Sequence, residues 1–426
     1  MGLFEKQSKL FKSLMILGVS ALVLAGCSSS ETAEEAAPEE TTEQEAAPAG
    51  DLDLLIGTAL PQTGNLAFLG PPEEAGVALA VKDINDAAKG ISVTVEYGDS
   101  GDTDNKAYET EIPRLLGLGV KAIIGAASSG TSLQFIDQVV GAGVIQFSPA
   151  NTSAAFTTYD DNGLYFRTAP SDVLQGEVLG NLIAEDGHKN ISMIVLNDSY
   201  GTGLAPFTTD AFEAAGGTVL AAPTYNTGDT NFTSQISEAL AGNPDAIVLI
   251  TFEEVKTILP ELLSQFPAEN LYFVDGNLAN FSEVLPAGSL TGAKGTLPGL
   301  TGDVTAFNNR LNENWMAEGN EDLGGVFAYG PESYDAIVLL ALASLAAGST
   351  EGADIAAKLQ EVSGGSGNGT KCTSFAECAD IINGGGVADY DGNSGPITFN
   401  EVGDPTEAEI GVYIYKEDNT YEVYAG

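Results

Sequence analysis

The sequence predicts an α/β protein made of two lobes, each built on a parallel β-sheet. From residue 51 onward, short apolar runs typical of buried strands alternate with segments whose apolar residues recur at helical spacing. Such alternation favours parallel sheets with helices on both faces. The series holds too many strands for one sheet to be the simplest arrangement, and Ala169-Pro170 divides it into two halves. We therefore expect a ligand site between two lobes, beyond the carboxyl ends of the strands.

The first half of the series contains four predicted strands and three predicted helices. The strands are expected at 54–60, 91–97, 122–126 and 144–147. The helices are expected to begin at Pro72, to span 108–118, and to begin in the Ser128–Ser132 turn. Pro72 suits a first helical turn because it lacks an N–H group, and the carboxylates of Glu73 and Glu74 complement the positive end of the helix dipole.

The second half repeats this alternation and then becomes less regular. Helices are expected at 173–184, 207–215, 232–240 and 255–265, and strands at 191–196, 218–221, 246–250 and 271–274. Beyond Pro298 we expect helices at 304–318, 334–347 and 355–360, and strands at 397–399, 410–415 and 421–424. The helix at 334–347 is apolar almost throughout, which predicts that it is buried.

Polar turns follow two neighbouring strands of the first half. Ser128–Ser132 comes directly after the strand at 122–126, and Ser148–Thr152 follows the next strand. Small hydroxyl residues cap helices, and a helix N-terminus at the carboxyl edge of a sheet attracts anions. Two adjacent turns of this kind could hold one small carboxylate. The simpler alternative is that these residues only cap helices.

The charge balance excludes one class of partner. The chain of 426 residues carries 16 Lys and Arg against 60 Asp and Glu, a formal net charge of −44. Nucleic acid is not expected to bind, because its phosphates require basic side chains. The acidity predicts a soluble, self-repelling surface and is also compatible with a saline habitat.

The N-terminus has the features of an export signal. Three lysines precede an apolar run at 14–25, which is too short for a stable transmembrane helix but suits a signal-peptide core. The run ends in Leu24-Ala25-Gly26-Cys27, which resembles the bacterial lipobox. We therefore interpret 1–26 as a lipoprotein signal peptide and Cys27 as the lipidated membrane anchor; the alternative is an ordinary signal peptide with an incidental cysteine. The acidic segment 27–50 lacks bulky apolar residues and is predicted to be a disordered tether.

Catalytic and metal-binding patterns are largely missing from the sequence. The single histidine, His188, disfavours a Ser-His-Asp site and a zinc site, and there is no G-x-S-x-G or P-loop pattern. The segment at 389–393 partly matches a calcium loop, but it lacks the glycine at loop position six, and Asn400 replaces the final glutamate. No cofactor is expected. A secreted hydrolase that uses Asp and Glu pairs is the alternative that composition leaves open, although nothing singles out such a pair.

Cys372 and Cys378 are predicted to form a disulfide, because they flank a short segment of an exported chain. So short a loop stabilises the fold by only about 2 kcal/mol in the chain-entropy model.

Several segments in fixed order carry a family resemblance. They are IGTALPQTGNLAFLGPPEEAGVALAVKDIN, VKAIIGAASSGTS, VIQFSPANTS, YFRTAPSD, NDSYGTG, NPDAIVLITF and DYDGNSGPITFNEVGDP. From about residue 51 to the C-terminus, the chain resembles the solute receptors of ABC importers, specifically the branched-chain amino-acid and amide/urea binding family with the type I periplasmic fold. The resemblance implies two Rossmann-like lobes joined by a three-crossover hinge, with crossovers near 169–170, 297–301 and 385–389. Lobe 1 would then comprise 51–170 and 300–386, and lobe 2 would comprise 171–299 and 387–426.

The resemblance also implies ligand-binding residues in lobe 1. Ser129 and Thr152 match hydroxyl residues that hold the substrate α-carboxylate, and Ala150 matches a backbone contact. Leu69 stands where some relatives have an aromatic residue, and Asn151 replaces a small residue. These two departures leave the side-chain preference open.

Three further matches fall in lobe 2. Tyr200 matches an aromatic residue that covers the ligand, and Phe252 lies near an aromatic wall position. Asp275 matches an acidic residue that pairs with the α-ammonium group, although it is one carbon shorter than the glutamate of some relatives. For each match, the structural alternative is helix capping, turn formation or core packing.

The function implied by the resemblance is solute capture without catalysis. We expect a lipid-anchored, extracytoplasmic receptor that closes on a small amino acid, with a branched-chain type favoured, and delivers it to ABC permease subunits. Urea, a short amide or an aromatic acid are alternative ligands. The same fold could also serve as the sensor of a signalling partner.

Overall fold

Five parallel strands form the sheet of the first lobe in the computed structural model, which describes residues 51–300, 302 and 304–425. The strands are β1 (Leu52–Ala59), β2 (Ile91–Glu96), β3 (Ala122–Gly125), β4 (Ile145–Ser148) and β5 (Tyr165–Arg167), in the spatial order β2-β1-β3-β4-β5. Helices α1 (Gly70–Ala87), α2 (Tyr108–Leu118) and α3 (Ser129–Gly141) connect them. β3 and β4 are fully buried, and for β3 the apolar run predicts this. The signal peptide, Cys27 and the tether lie outside the described residues.

The second lobe is built on an eight-stranded sheet. Its elements in chain order are α4 (Asp172–Glu185), β6 (Asn190–Leu196), α5 (Gly201–Ala214), β7 (Thr218–Ala221), β8 (Thr224–Tyr225), α6 (Thr233–Leu240), β9 (Ala246–Ile250), α7 (Val255–Leu262), β10 (Leu271–Phe273) and β11 (Lys294–Pro298). The last two strands of the chain, β14 (Ile410–Tyr415) and β15 (Tyr421–Val423), run antiparallel at one edge of this sheet. The sheet order is β15-β14-β11-β10-β9-β6-β7, and β8 pairs with β6.

The C-terminal quarter of the chain completes both lobes. It contains α8 (Thr305–Ala317), α9 (Gly330–Ala347), α10 (Gly352–Val362), β12 (Thr370–Cys372), α11 (Phe375–Asn383), β13 (Ala388–Tyr390), β14 (Ile410–Tyr415) and β15 (Tyr421–Val423). The apolar helix α9 is buried, as predicted, and packs against α1. Gly76 permits this close approach, because a Cβ atom there would lie 2.2 Å from the carbonyl oxygen of Gly330. Cys372 and Cys378 are joined by a disulfide.

Both sheets share one strand order, which fixes where a ligand can bind. Numbered within its own lobe, the parallel part of each sheet runs 2-1-3-4-5, since β7-β6-β9-β10-β11 in the second lobe corresponds to β2-β1-β3-β4-β5 in the first. In such sheets the loops diverge at the carboxyl ends of the first and third strands and leave a crevice there. The loops after β1 and β3 therefore face the loops after β6 and β9.

Several elements differ from the sequence expectation. The strand expected at 397–399 is wrong, because Phe399 forms only an isolated bridge with Pro405. α5 begins at Gly201 and not at 207, and it accommodates Pro206 within the helix. β5 and β11 were not expected, and neither were β12, α11 and β13.

In the segment at 389–393, which partly matches a calcium loop, two aspartates form ion pairs with a lysine. Lys371 Nζ lies 2.8 Å from a carboxylate oxygen of Asp391 and 3.3 Å from one of Asp389. Among the residues that the structure describes, no group of three or more His, Cys, Asp or Glu side chains could hold a metal ion.

Within the described part of the chain, no single helix is long and apolar enough to span a bilayer, and only α9 and α10 taken together, with a bend of 105°, reach the required length and composition.

Candidate functional site

A small cavity lies where the loops of the two sheets meet. It is lined by Leu66, Leu69, Ala127, Ser128, Ser129, Ala150, Tyr200, Phe252, Asp275, Gly276 and Tyr329. The loops after β1, β3 and β4 supply one wall, and the loops after β6, β9 and β10 supply the opposite wall. Five of the six residues that the sequence analysis predicts to bind the ligand line this cavity. The exception is Thr152.

The first-lobe wall contains the N-terminus of α3. The side chain of Ser128 caps the helix by accepting a hydrogen bond of 3.2 Å from the backbone N–H of Thr131, so the capping role holds for this residue. Ser129 begins the helix and its Oγ accepts a hydrogen bond of 3.3 Å from the N–H of Ser153. Gly125 makes the preceding turn with a φ of 118°, in the left-handed region that favours glycine. The partial positive charge of the helix end favours an anion in this part of the cavity.

A buried arginine fixes the second loop of this wall. Arg167 is fully buried and donates to the carbonyl oxygen of Ser153 at 2.8 Å, while its Nε lies 2.6 Å from Oδ1 of Asp404. Asn151 joins this loop to the turn after β3, since its amide donates to the carbonyl oxygens of Ala126 and Ala127 at 3.0 and 2.8 Å. Ala150 and Ser129 are therefore held in fixed relative positions.

Thr152 is buried within this loop, and its side chain is not among those that line the cavity. Its carbonyl oxygen accepts a 2.7 Å hydrogen bond from the N–H of Asp172, the first residue of α4. Burial and the carboxylate of Asp275 raise the pKa of Asp172 well above its usual range. The structure therefore places a second acidic group near the cavity that sequence reasoning missed.

The second-lobe wall combines two aromatic rings with a carboxylate. Tyr200 and Phe252 are stacked, with ring centroids 5.2 Å apart and an interplanar angle of 16°. Oδ1 of Asp275 accepts hydrogen bonds from the Tyr200 hydroxyl at 2.6 Å and from Nε2 of Gln175 at 3.0 Å. Burial raises the pKa of Asp275, and these hydrogen bonds oppose the shift by favouring the ionised form.

Tyr329 closes the cavity and was not expected from the sequence. It precedes α9, a helix of the first lobe, and its hydroxyl donates a 2.7 Å hydrogen bond to Oδ2 of Asp275 in the second lobe. Its φ of 60° is uncommon for a residue with a side chain, and such backbone strain concentrates at functional sites. No pattern around Tyr329 points to a partner 54 residues away in the chain.

Two further side-chain hydrogen bonds join the lobes across the crevice. The Ser153 hydroxyl donates to the carbonyl oxygen of Ser199 at 2.9 Å, and the Asn65 amide donates to Oε1 of Glu254 at 3.0 Å. The lobes are therefore closed on each other. The cavity they enclose has an anion-favouring pole at α3, a carboxylate at Asp275, and apolar side chains between them.

Two lobes of matching strand order that enclose a small cavity define a solute-binding protein of the type I periplasmic fold. The chain belongs to the periplasmic binding protein family, whose model matches residues 54–379. The family indicates an extracytoplasmic location, and the relatives are binding proteins.

Individual sequences and solved structures are similar to this chain. The chain is 27% identical over 316 residues to Leu/Ile/Val-binding protein homolog 1 of Brucella abortus (strain 2308), a match that covers 72% of this chain and 82% of the relative. The crystal structure of the leucine binding protein LivK from Thermotoga maritima matches with a TM-score of 0.70 at 21% identity, over 87% of this chain and 98% of that chain. A solute binding protein of an ABC transporter from R. palustris, in complex with benzoate, matches with a TM-score of 0.68 at 18% identity, over 87% and 95% of the two chains.

Proposed function

We propose that this protein is the substrate-binding lipoprotein of an ABC importer and that it captures a small apolar amino acid, with a branched-chain type favoured. The observation that carries the proposal is the presence of Ser129 and Asp275 on opposite walls of one enclosed cavity. Ser129 stands at a helix N-terminus, and Asp275 stands after a strand of the other lobe. A ligand that carries both charges would satisfy both walls and draw the lobes together.

The α-carboxylate of the ligand would bind to the first lobe. The Ser129 hydroxyl, the backbone at Ala150 and the N-terminal amides of α3 are the donors on that side. Thr152 would contribute through its position in the same loop. No basic side chain lines this part of the described cavity, so the helix end would supply the positive potential.

The α-ammonium group would bind to Asp275. The carboxylate accepts three hydrogen bonds from Tyr200, Gln175 and Tyr329, which leaves acceptor capacity for one more donor. An ammonium ion beside it would also offset the cost of keeping this carboxylate ionised in a buried site. The negative charge on Asp172 would add to the attraction if that group ionised with the ligand in place.

The apolar part of the cavity suits an aliphatic side chain. Leu66 and Leu69 face the cavity from the loop after β1, and Phe252 closes it from the other lobe. A charged or strongly polar side chain would lose its hydration there without a partner. This is the reason for favouring Leu, Ile or Val over the polar amino acids.

Transport would require the two lobes to open and close. We propose lobe 1 as 51–170 and 300–386 and lobe 2 as 171–299 and 387–426, with one refinement. Ala388, Tyr390, Ile397 and Phe399 pack in the core of the first lobe, so we place the third crossover between Phe399 and Ile410. Lipidation of Cys27 would hold the receptor at the membrane, where the closed form would meet the permease subunits.

An aromatic acid is the second candidate ligand. The stacked rings of Tyr200 and Phe252 offer an aromatic wall, and the structurally similar protein from R. palustris is in complex with benzoate. An aromatic acid would satisfy the α3 end of the cavity but would leave Asp275 without a cation. Urea and short amides would leave the anion-favouring end without a charge.

Titration calorimetry with leucine, benzoate and urea tests the proposal. We expect leucine to bind most tightly, and solution scattering should show compaction on leucine addition, because hinge closure captures the solute. Native mass spectrometry of the purified protein would reveal a co-purifying solute directly. Tight binding of benzoate or urea without binding of leucine would reject the amino-acid assignment, and an unchanged scattering profile at saturating leucine would argue against capture by closure.

A further inference from the structure

A second and larger cavity lies behind the hinge, on the other side of Tyr329. Its volume is about 180 Å³, and its wall includes residues 297–300 of the second crossover, the loop before α9, and the edge strands β14 and β15. Both lobes therefore contribute to it. Tyr329 lines this hinge cavity as well as the inter-lobe cavity, so the two cavities share one wall.

The hinge cavity contains a buried carboxylate without a basic partner. Glu332, in the first turn of α9, is 4% exposed and lines the cavity. No Lys or Arg of the described residues lies within 4.0 Å of its carboxylate, and no other described residue donates a hydrogen bond to it. Its Oε1 faces Gly299 of the second crossover, where a Cβ atom would lie 3.4 Å away. A carboxylate in this setting lacks a counter-charge from the protein.

The rest of the wall is mostly apolar and aromatic, and its polar side chains are those of Asn308, Asn393 and Ser394. Leu297, Phe327, Tyr413 and Tyr421 line the cavity, and the rings of the two tyrosines meet edge to face with centroids 5.5 Å apart. Aromatic faces attract organic cations and also cover apolar groups. The N-termini of α8 and α9 both reach this cavity, and Glu332 is the only charged side chain among the described residues that line it.

We propose that the hinge cavity binds a small organic cation with an apolar body, for which Glu332 provides the counter-charge. The cationic group would lie at the Glu332 carboxylate, and the apolar body would pack among Phe327, Tyr413 and Tyr421. The proposal does not depend on which solute occupies the inter-lobe cavity.

The groups around Glu332 predict that binding releases a proton. The titratable groups that face it are Glu73 of α1, Asp335 of α9, the tyrosines of the cavity wall (Tyr329, Tyr413 and Tyr421), and Glu407 and Glu409, which line a smaller cavity on its other side. All of them are acidic. Burial raises the pKa of Glu332 to about 8, with a smaller contribution from Asp335, so the carboxyl is mostly protonated at pH 7. A bound cation would favour the ionised form and expel that proton.

The test is calorimetric titration of the full chain with benzylammonium chloride and with benzyl alcohol, its neutral counterpart of similar shape. We expect benzylammonium to bind at least about tenfold more tightly than benzyl alcohol, because only the cation pairs with the carboxylate. At pH 7 the binding enthalpy should vary with the ionisation enthalpy of the buffer, which reports proton release.

Three variants locate the site. Glu332→Gln should weaken benzylammonium binding about tenfold or more, whereas Asp275→Asn and the exposed control Glu401→Gln should leave it unchanged. Equal binding to wild type and Glu332→Gln would overturn the proposal, and so would loss of binding in Asp275→Asn, because the amine would then occupy the inter-lobe cavity. Absence of benzylammonium binding to wild type would also overturn it. If Glu332→Gln does not fold, the comparison of the two probes on wild type and Asp275→Asn still decides the question.

Discussion

The hydroxyl of Tyr329 donates a 2.7 Å hydrogen bond to Oδ2 of Asp275 and so connects the start of α9 in one lobe to the end of β10 in the other. Replacing Tyr329 with Phe removes this hydrogen bond and keeps the ring. We expect leucine affinity to fall about tenfold or more, since a hydrogen bond to a charged group is worth about 1.5–3 kcal/mol. Calorimetry on Tyr329→Phe measures the effect, with Tyr97→Phe as a control at a half-exposed tyrosine outside the cavity. Unchanged affinity in Tyr329→Phe would mean that the closed form does not depend on this contact.

The two charged ends of the proposed ligand predict unequal effects of two substitutions. Asp275→Asn should weaken leucine binding much more than Ser129→Ala, because truncating a partner of a buried charge costs about 2–5 kcal/mol and losing one hydrogen bond to a charged group about 1.5–3. Calorimetry with both variants measures the difference. The matched probe is 4-methylpentanoate, which is leucine without its ammonium group and should be far less sensitive to Asp275→Asn. Leucine binding to Asp275→Asn at wild-type strength would show that the carboxylate does not pair with the ammonium group.

The buried ion pair behind the Ala150 loop predicts a loss of stability. Asp404→Asn leaves the fully buried Arg167 without its charge partner, and breaking such a pair costs about 3–5 kcal/mol. Urea unfolding should show this decrease in the free energy of unfolding. The matched control is Asp86→Asn, which breaks the exposed pair with Lys82 and should change stability by less than about 1 kcal/mol. Equal effects of the two substitutions would refute the structural role of Arg167.

The protonation of Glu332 predicts how stability depends on pH. Its pKa in the folded protein is about 8, above the ordinary value of 4.5, so the unfolded chain ionises first as the pH rises. The resulting penalty on the folded state is absent below about pH 4.5, grows up to about pH 8, and is constant above it. Glu332→Gln should therefore stabilise the fold by an amount that increases from pH 4.5 to 8 and reaches on the order of 3 kcal/mol at pH 7. Unfolding curves at several pH values check this, and a pH-independent difference from wild type would contradict it.

The proposed anchor is tested at Cys27. Cys27→Ala should release the protein into the medium or the periplasm, because the diacylglycerol thioether cannot form. Cell fractionation followed by immunoblotting measures the distribution. Retention of the variant in the membrane fraction would show that Cys27 is not the anchor.

The central strands could be predicted because their environment dictates their composition. β3 and β9 are buried on both faces, so they are continuous apolar runs that stand out in the sequence. β5 and β11 lack that signal, since β5 is three residues long and ends in Arg167, and β11 contains Lys294, a glycine and Pro298. The start of α5 was predicted late because Gly201 and Pro206 have low helix propensity, which tertiary packing overrides.

The candidate site could be predicted only where its residues follow strands. Ser129, Ala150, Tyr200, Phe252 and Asp275 all lie just after the carboxyl ends of strands, and parallel sheets bring such positions to one edge. Tyr329 precedes a helix of the other lobe, so its contact with Asp275 depends on how the lobes meet. The partners of Arg167 are likewise tertiary, because Asp404 lies 237 residues further along the chain.

The cross-lobe hydrogen bonds made by Asn65, Ser153 and Tyr329 have a kinetic consequence. A solute held in the enclosed cavity cannot leave until these contacts break, so its escape requires the lobes to part. The opening rate of the empty closed form then sets an upper limit on the dissociation rate of any solute that stabilises closure. The dissociation rates of ligands of very different affinity would all lie at or below this limit. Tighter ligands would dissociate more slowly than weaker ones and so remain longer in the cavity.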